Sequence, residues 1–495
     1  MIEADRREAV AALRRRLAEL GGSSWGGRVA AAPPRSLTLG EVEPDPWADD
    51  RRPERAIAGE RSGPQPSSRD DDEARRRAAL RLGFLPESGV TGTAWVRRIT
   101  VELAPFIDAA GAAAPVTARQ LVALAYHTGA EQPEPPFDAT ACAVLDIETM
   151  GLRGSGAFAF LVGIGSPRES RLEIDQLLLV DPGDEAALLL ALLDRLALRR
   201  LLVTYNGRSF DLPVLQSRCV LARLAPTTLE SLLHADLLGS VRRLFRDRLG
   251  ACSLRQAELS LLGLVREGDV CAGAEAPEHY RSWLRGGPDR VLEAVVRHNE
   301  LDLCATMVLA ARLAAHLEGR LVEPPHPADR YRLGVHLDRL GVHDAAEVHY
   351  RAAVLGRTAP WARHAGHRLA QHLRRGGPSR QSEALQLYAS LWRDDPADLR
   401  AARALAVLLE RQRRLRAAAE VTAAAVEICL GLGDWRLMRL RGAPSAGWKA
   451  DWARRHDRLQ RRLAGRSRRG SPALRSRSPP SARCRPGRRS GPRCR

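Results

Sequence analysis

The stretch Ala143-Val-Leu-Asp146-Ile-Glu148-Thr-Met-Gly151 ends an apolar run with two carboxylates. The run has the composition of a buried strand, so Asp146 and Glu148, two residues apart, leave the same face of that strand. Carboxylates are costly to bury unless they bind cations or hydrogen-bond donors. The pattern therefore favours a divalent-cation site at a strand end, although acids at a strand end also occur facing solvent.

Two further segments carry polar residues of the same kind. Thr204-Tyr-Asn206-Gly-Arg-Ser-Phe210-Asp211 follows an apolar run, and Arg297-His298-Asn299-Glu300-Leu-Asp302 lies in a helical pattern. An acid at a helix start, such as Asp211, is favourable to the helix dipole without any metal. His298 and Asp302 lie on one side of a helix, which suits either a metal site with a proton acceptor or an ordinary surface pair.

Taken together, the three segments resemble the exonuclease motifs of the DEDD branch of the ribonuclease H-like superfamily, and specifically those of YprB-type proteins. The resemblance covers about residues 141–317. It implies an α/β fold with a ribonuclease H-like mixed sheet flanked by helices. It also implies two Mg²⁺ or Mn²⁺ ions and the following four metal-binding acids: Asp146, Glu148, Asp211 and Asp302.

The same resemblance puts His298 at the general-base position, where it stands at the spacing that a Tyr has in one group of DEDD exonucleases. It implies metal-assisted hydrolysis of single-stranded RNA or DNA from the 3′ end. The residues expected to contact substrate are Thr149, Asn206, Phe210 and Asn299. The alternatives are a nucleic-acid-binding protein without turnover and a scaffold that acts through its C-terminal helices. Phe210 also suits core packing, and Asn206 also suits a turn cap.

Composition sets the remaining limits. The chain has 495 residues and a net charge of +18, and eleven arginines with no acid lie in residues 465–495. Such a segment either raises non-specific affinity for nucleic acid or has no role. The sequence has no CxxC pair of the kind that indicates a zinc site. It also has no apolar run that reaches the roughly 20 residues needed to span a bilayer. With no N-terminal signal region, a cytoplasmic protein is expected.

Changes of composition along the chain predict how it divides into domains and connecting segments. The expected parts are an N-terminal helix (1–21), a disordered linker (22–77), an extension without assigned function (78–136), the ribonuclease H-like domain (137–320), helical repeats (327–463) and an Arg-rich disordered tail (464–495). Within the domain, strands are predicted at 141–147, 157–164, 172–180 and 200–205, the first three antiparallel and the fourth parallel. The region 229–317 is predicted to be helical.

The region 327–463 has the spacing of tetratricopeptide-like repeats. Ala418 follows Ala384 by 34 residues, which is the period of that repeat. Thr422 stands where an aromatic residue is expected, so an ordinary helical bundle is the alternative. Repeats of this kind usually bind protein partners.

Two other groups of residues have both structural and functional interpretations. His234, Asp236 and the arginines that follow (Arg242, Arg243, Arg246 and Arg248) suit either a phosphate path or a cap with a solvated helix face. Tyr280 and Trp283 suit core packing better than base stacking.

Overall fold

The computed structural model describes residues 69–112, 114–126, 135–151, 156–264, 266, 275–322, 325–356, 359–431 and 448–470. The described part divides into two compact units, one within Gly26–Ala365 and the other from Gly366 onward. The predicted helix at 1–21, the predicted linker up to residue 68 and the tail beyond residue 470 lie outside the described residues.

The described part of the first unit contains a seven-stranded mixed sheet in the order β1-β2-β5-β4-β3-β6-β7. Its strands are β1 (Leu85–Gly89), β2 (Gly92–Glu102), β3 (Cys142–Met150), β4 (Phe158–Arg168), β5 (Arg171–Leu178), β6 (Leu201–Thr204) and β7 (Leu233–Asp236). Strands β1 to β5 pair antiparallel, whereas β3, β6 and β7 are parallel. The predicted α/β class, with an antiparallel meander followed by a parallel strand, is confirmed.

Helices cover both faces of this sheet. They are α1 (Arg69–Arg81), α2 (Ala104–Ala109), α3 (Ala118–Tyr126), α4 (Glu185–Leu196), α5 (Asp211–Leu221), α6 (Thr227–Ser231), α7 (Leu237–Leu249), α8 (Leu254–Ala257), α9 (Ala276–Leu284), α10 (Asp289–Leu317), α11 (Pro327–Arg339) and α12 (His343–Val354), with a π-helix at Glu258–Leu262. Because side chains alternate along a strand, the neighbours Val144 and Leu145 enter opposite apolar cores. Helix α10 contributes to both cores, through Val295 to one and Leu303 to the other.

Three elements differ from the sequence prediction. Strands β1 and β2 lie in the extension 78–136, so the sheet begins well before residue 137. Strand β7 lies in the region predicted to be helical, because four residues are too few to establish a periodicity. Helix α1 begins at Arg69, inside the predicted linker, and three acids in its first turn favour that start.

The described residues of the second unit are helical. They form α14 (Pro378–Asp394), α15 (Leu399–Arg411), α16 (Leu415–Gly431) and α17 (Trp448–Gly470), and α13 (Pro360–Leu373) crosses the boundary between the units. Ala384, Ala418 and Thr422 are completely buried. The Thr422 hydroxyl donates to the Ala418 carbonyl at 2.7 Å, which satisfies a polar group at a core position. The predicted helical C-terminal region is confirmed, and its assignment as tetratricopeptide-like stays a prediction.

Candidate metal centre

The central strand β3 carries Asp146 and Glu148. Asp146 pairs across the sheet with Gly163 of β4, and the pairing shifts between Glu148 and Thr149, where the strand has a bulge. A bulge bends its strand and re-aims the side chains beside it. The first predicted segment therefore ends in an irregular strand, with Glu148 at the irregularity and Asp146 two residues before it.

The four predicted acids lie near one another. Burial raises the pKa of Asp146 well above its usual value, and the neighbouring carboxylates of Asp302, Asp211 and Glu148 raise it further. Burial also raises the pKa of Asp211 to about 7, against the opposing effect of its backbone hydrogen bonds. One of these bonds is donated by the Ile147 amide to Asp211 Oδ1 at 3.2 Å. Three segments distant in sequence therefore place their carboxylates close enough to influence one another electrostatically.

Helix α10 packs on the sheet directly beside Asp146. The Asn299 Nδ2 atom donates to Asp146 Oδ2 at 2.8 Å and also lies 3.2 Å from the Asp146 carbonyl oxygen. Gly163 makes this approach possible, since a Cβ there would lie 2.2 Å from Asn299 Oδ1 and 2.7 Å from Leu303 Cδ1. A single missing side chain thus admits the helix that supplies Asp302.

A buried row of polar side chains continues behind Asn299. Gln176 Nε2 donates to Asn299 Oδ1 at 3.0 Å and to the Val296 carbonyl at 2.8 Å. Arg97 Nη1 donates to Gln176 Oε1 at 2.6 Å and lies 3.4 Å from Glu300 Oε2. Both amide side chains belong to completely buried residues, and their amide groups are hydrogen-bonded within this row.

A protein cation lies at the other side of the acids. The Arg266 guanidinium forms ion pairs with Asp302 and with Glu258, a buried acid of the π-helix. Burial raises the pKa of Glu258, and the hydrogen bond from Arg266 opposes the rise. Neither Arg266 nor Glu258 lies in one of the three sequence segments that predicted the metal-binding acids. The sequence feature that points to Glu258 is the position of an acid at the start of the short, mostly apolar stretch Glu258–Leu262.

His298 lies close to both residues of the Arg266–Asp302 ion pair. Its Nδ1 atom lies 3.3 Å from Arg266 Nη1, and its Nε2 atom lies 3.8 Å from Asp302 Oδ2. Arginine donates and never accepts, so this contact is a hydrogen bond in the neutral tautomer of His298 that carries its lone pair on Nδ1. In this arrangement Arg266 engages the nitrogen that would take up a proton.

The loop between β6 and α5 is held by residues of β7. Asp236 accepts from the backbone amides of Asn206 at 2.9 Å, Arg208 at 3.1 Å and Leu238 at 3.1 Å. His234 Nε2 lies 2.8 Å from Thr204 Oγ1. Asp236 therefore acts as a cap that fixes the loop leading to Asp211, which favours the structural interpretation of this segment.

The residues predicted to contact substrate differ in their exposure. Asn206 is exposed with a φ of 69°, and Phe210 is half-buried directly before Asp211. Thr149 is buried and donates its hydroxyl to the Gly151 carbonyl at 3.0 Å. Asn299 is completely buried and bound to Asp146 and Gln176. Asn299 thus contacts an acid of the cluster, and its contact with substrate stays a prediction.

The aromatic residues and one arginine of α7, Arg248, have structural contacts that favour their structural interpretation. Tyr280 stacks on Phe160 with ring centroids 4.2 Å apart and donates to the Leu179 carbonyl, so it belongs to the core, as does the buried Trp283. Arg248 Nε lies 3.1 Å from Asp329 in an ion pair with α11. This arginine stabilises helix packing.

The donor set fits divalent cations. Buried carboxylates repel one another strongly and are found with cations or with protons. The oxygen-only set of Asp146, Glu148, Asp211 and Asp302 has the chemistry that Mg²⁺ and Mn²⁺ prefer. Burial is the main cause of the raised pKa values of Asp146 and Asp211, and neighbouring carboxylates add to it, so a bound cation would favour the ionised forms of both.

Comparison with known proteins identifies the class of domain. Residues 143–314, about a third of the chain, match the family model of the RNase_H superfamily. The matched region includes the four acids and His298, whereas β1 and β2 lie outside it. The chain thus contains a ribonuclease H-like domain.

A particular relative is the uncharacterized protein YprB of Bacillus subtilis (strain 168). The two chains are 32% identical over 189 residues, which is 38% of this chain and 45% of the relative. The chain therefore spans less than half the length of the relative that it matches. In the part of the chain that the structure describes, no helix has the length and apolar character needed to cross a membrane.

Proposed function

We propose that this chain is a metal-dependent nuclease of the DEDD type, acting as a 3′–5′ exonuclease on single-stranded RNA or DNA. The observation that carries the proposal is the meeting of acids from β3, α5 and α10, in which Asp146 is under the influence of Asp302, Asp211 and Glu148. The match to the RNase_H superfamily over the same residues supports it. The 3′ polarity rests on the DEDD resemblance.

The chain's own groups have separate tasks in this proposal. The four acids hold two Mg²⁺ or Mn²⁺ ions, which when bound neutralise charge on the phosphate and favour formation of hydroxide from water. His298 takes up the proton of the attacking water. Because Arg266 occupies His298 Nδ1, that guanidinium has to move away before the proton is transferred. The exposed Asn206 and half-buried Phe210 contact the substrate.

A labelled-oligonucleotide assay tests the activity. A 5′-labelled single strand of RNA or DNA is incubated with the full chain and Mg²⁺ or Mn²⁺, with EDTA as the metal-free control. A 3′–5′ exonuclease gives a ladder of shortened labelled products, whereas an endonuclease cuts a circular single strand as well. Asp146→Asn is expected to reduce cleavage to background, and Glu173→Gln, an exposed acid of β5 paired with Arg168, is the matched control.

One observation favours a second candidate, a nucleic-acid-binding protein without turnover. The Arg266 guanidinium pairs with Asp302, so a protein cation already lies beside one of the four acids. Retained oligonucleotide binding with no metal-dependent cleavage by the wild-type chain would support this candidate and contradict the nuclease proposal.

For the C-terminal helices, the proposal is a tetratricopeptide-like surface for a protein partner of a cytoplasmic enzyme. The complete burial of Ala384 and Ala418, one 34-residue period apart, supports that proposal. Capture of the same partner by the full chain and by a chain with Asp146→Asn would separate this role from catalysis.

A further inference from the structure

Four residues form a straight row across four adjacent strands. Asp146 of β3 pairs with Gly163 of β4, Gly163 pairs with Gln176 of β5, and Gln176 pairs with Arg97 of β2. Asn299 of α10 lies over the glycine and touches the polar residues on each side of it. The row thus connects the second strand of the sheet to the acid cluster.

The hydrogen bonds in this row have one direction. An arginine only donates, so the Arg97 contact requires the oxygen of the Gln176 amide to face Arg97. The NH₂ group of Gln176 then faces Asn299 and donates to its oxygen. The NH₂ group of Asn299 is left facing Asp146, to which it donates. Arg97, as a pure donor at one end, and the Val296 carbonyl and Asp146, as acceptors, therefore fix the same orientation of both amides.

The surroundings of the row restrict other arrangements. Gln176 and Asn299 are completely buried, and Gln176 also donates to the Val296 carbonyl of α10. Buried amide groups without partners cost free energy, so the donors and acceptors hold one another in place. Arg97 is held in turn by Glu300, whose other oxygen accepts from Arg297 at 3.0 Å.

We propose that Arg97, Gln176 and Asn299 are positioning residues that aim the Asp146 carboxylate for cation binding. This inference rests on the proposed function, and it gives a role to β2, which lies outside the matched domain. Groups that hold a metal ligand in place affect metal affinity even though they do not touch the metal. If these residues had only a structural role, replacing them would lower folding stability and leave the metal affinity unchanged.

The test measures Mn²⁺ affinity of the full chain by calorimetry, together with its thermal midpoint. Gln176→Glu keeps the size of the side chain but removes the donor to Asn299, so the Asn299 amide turns and presents its oxygen to Asp146. Arg97→Met removes the donor that holds the Gln176 oxygen. Both variants are expected to bind Mn²⁺ about 10- to 100-fold more weakly, whereas Arg97→Lys, which keeps a donor, retains most of the affinity.

Arg195→Met is the matched control. Arg195 is a partly buried arginine that pairs with Asp175, the residue beside Gln176 on the opposite face of β5. Its loss is expected to lower the thermal midpoint and leave Mn²⁺ affinity unchanged. The inference is overturned if Gln176→Glu and Arg97→Met melt earlier but bind Mn²⁺ like the wild type, or if the control weakens binding equally. Absence of Mn²⁺ binding by the wild type would overturn both the inference and the proposed function.

Discussion

The guanidinium of Arg266 forms an ion pair with the carboxylate of Asp302. The same guanidinium pairs with Glu258, and the side chains of both residues in this second pair are almost fully buried. An arginine in this position neutralises part of the acid cluster in the absence of bound ions. It also competes with those ions for Asp302, so the two kinds of cation are expected to exclude each other there.

Replacement of Arg266 separates these effects. Arg266→Gln is expected to destabilise the metal-free chain by about 3–5 kcal/mol, because Glu258 and Asp302 lose a buried partner. The same variant is expected to bind Mn²⁺ more tightly than the wild type, since one competing cation is gone. Urea unfolding in EDTA and in Mn²⁺ measures both. A variant with unchanged stability in EDTA and unchanged Mn²⁺ affinity would show that the ion pair has no such role.

The pH dependence of the metal-free chain follows from Asp211. The pKa of Asp211 in the folded chain is raised from 3.8 to about 7. Between pH 3.8 and about 7, the Asp211 carboxyl group is therefore protonated in the folded state and ionised in the unfolded state. The folded state is then favoured below pH 3.8, and this contribution is lost as the pH rises to about 7. A pKa displaced this far corresponds to a destabilisation on the order of 4 kcal/mol at pH 8.

Asp211→Asn removes that proton equilibrium while keeping an oxygen for the Ile147 amide. In EDTA the variant is therefore expected to be more stable than the wild type at pH 8 and similar to it at pH 4. Urea unfolding at the two pH values measures the difference. Equal stability of the two proteins at pH 8 would mean that the Asp211 carboxylate is not buried among like charges.

Two glycines of β4 allow a matched test of packing. A Cβ at Gly163 would lie 2.2 Å from Asn299 Oδ1, and a Cβ at Gly165 would lie 2.5 Å from Val144 Cγ1. Both alanine variants are expected to lose about 1–3 kcal/mol of stability through overpacking. Gly163→Ala alone is expected to weaken Mn²⁺ binding as well, because it displaces the residue that holds Asp146. Similar Mn²⁺ affinity in the two variants would contradict this distinction.

The sequence marks candidate residues of the site where they have a local pattern. Asp146 and Glu148 end an apolar run, Asp211 starts a helix, and His298 and Asp302 share a helix side, but it is the family resemblance that assigns these residues to one site. The mixed sheet follows from the same runs, and their short connections indicate its antiparallel part. These predictions depend on residues that are close together in the chain.

The contacts that support the site depend on residues far apart. Arg97 and Gln176 are separated by 79 positions and Arg266 and Asp302 by 36, so no periodicity relates either pair. Gln176 did leave a signal, since it is a polar residue within the apolar end of β5. The second half of β2 alternates half-buried and exposed residues, but the place of the strand beside β5 follows only from long-range pairing.

The pairing of β2 with β5 also sets where the ribonuclease H-like domain can be cut from the rest of the chain. Eight residue pairs join the two strands, from Trp95 opposite Leu178 to Glu102 opposite Arg171. A recombinant fragment starting at residue 137 would leave the amides and carbonyls of β5 without partners along an open border, which invites self-association through added strands. A soluble expression fragment is therefore expected to need a start at or before Arg69. Such a fragment includes β2, which a fragment limited to the matched residues would lack.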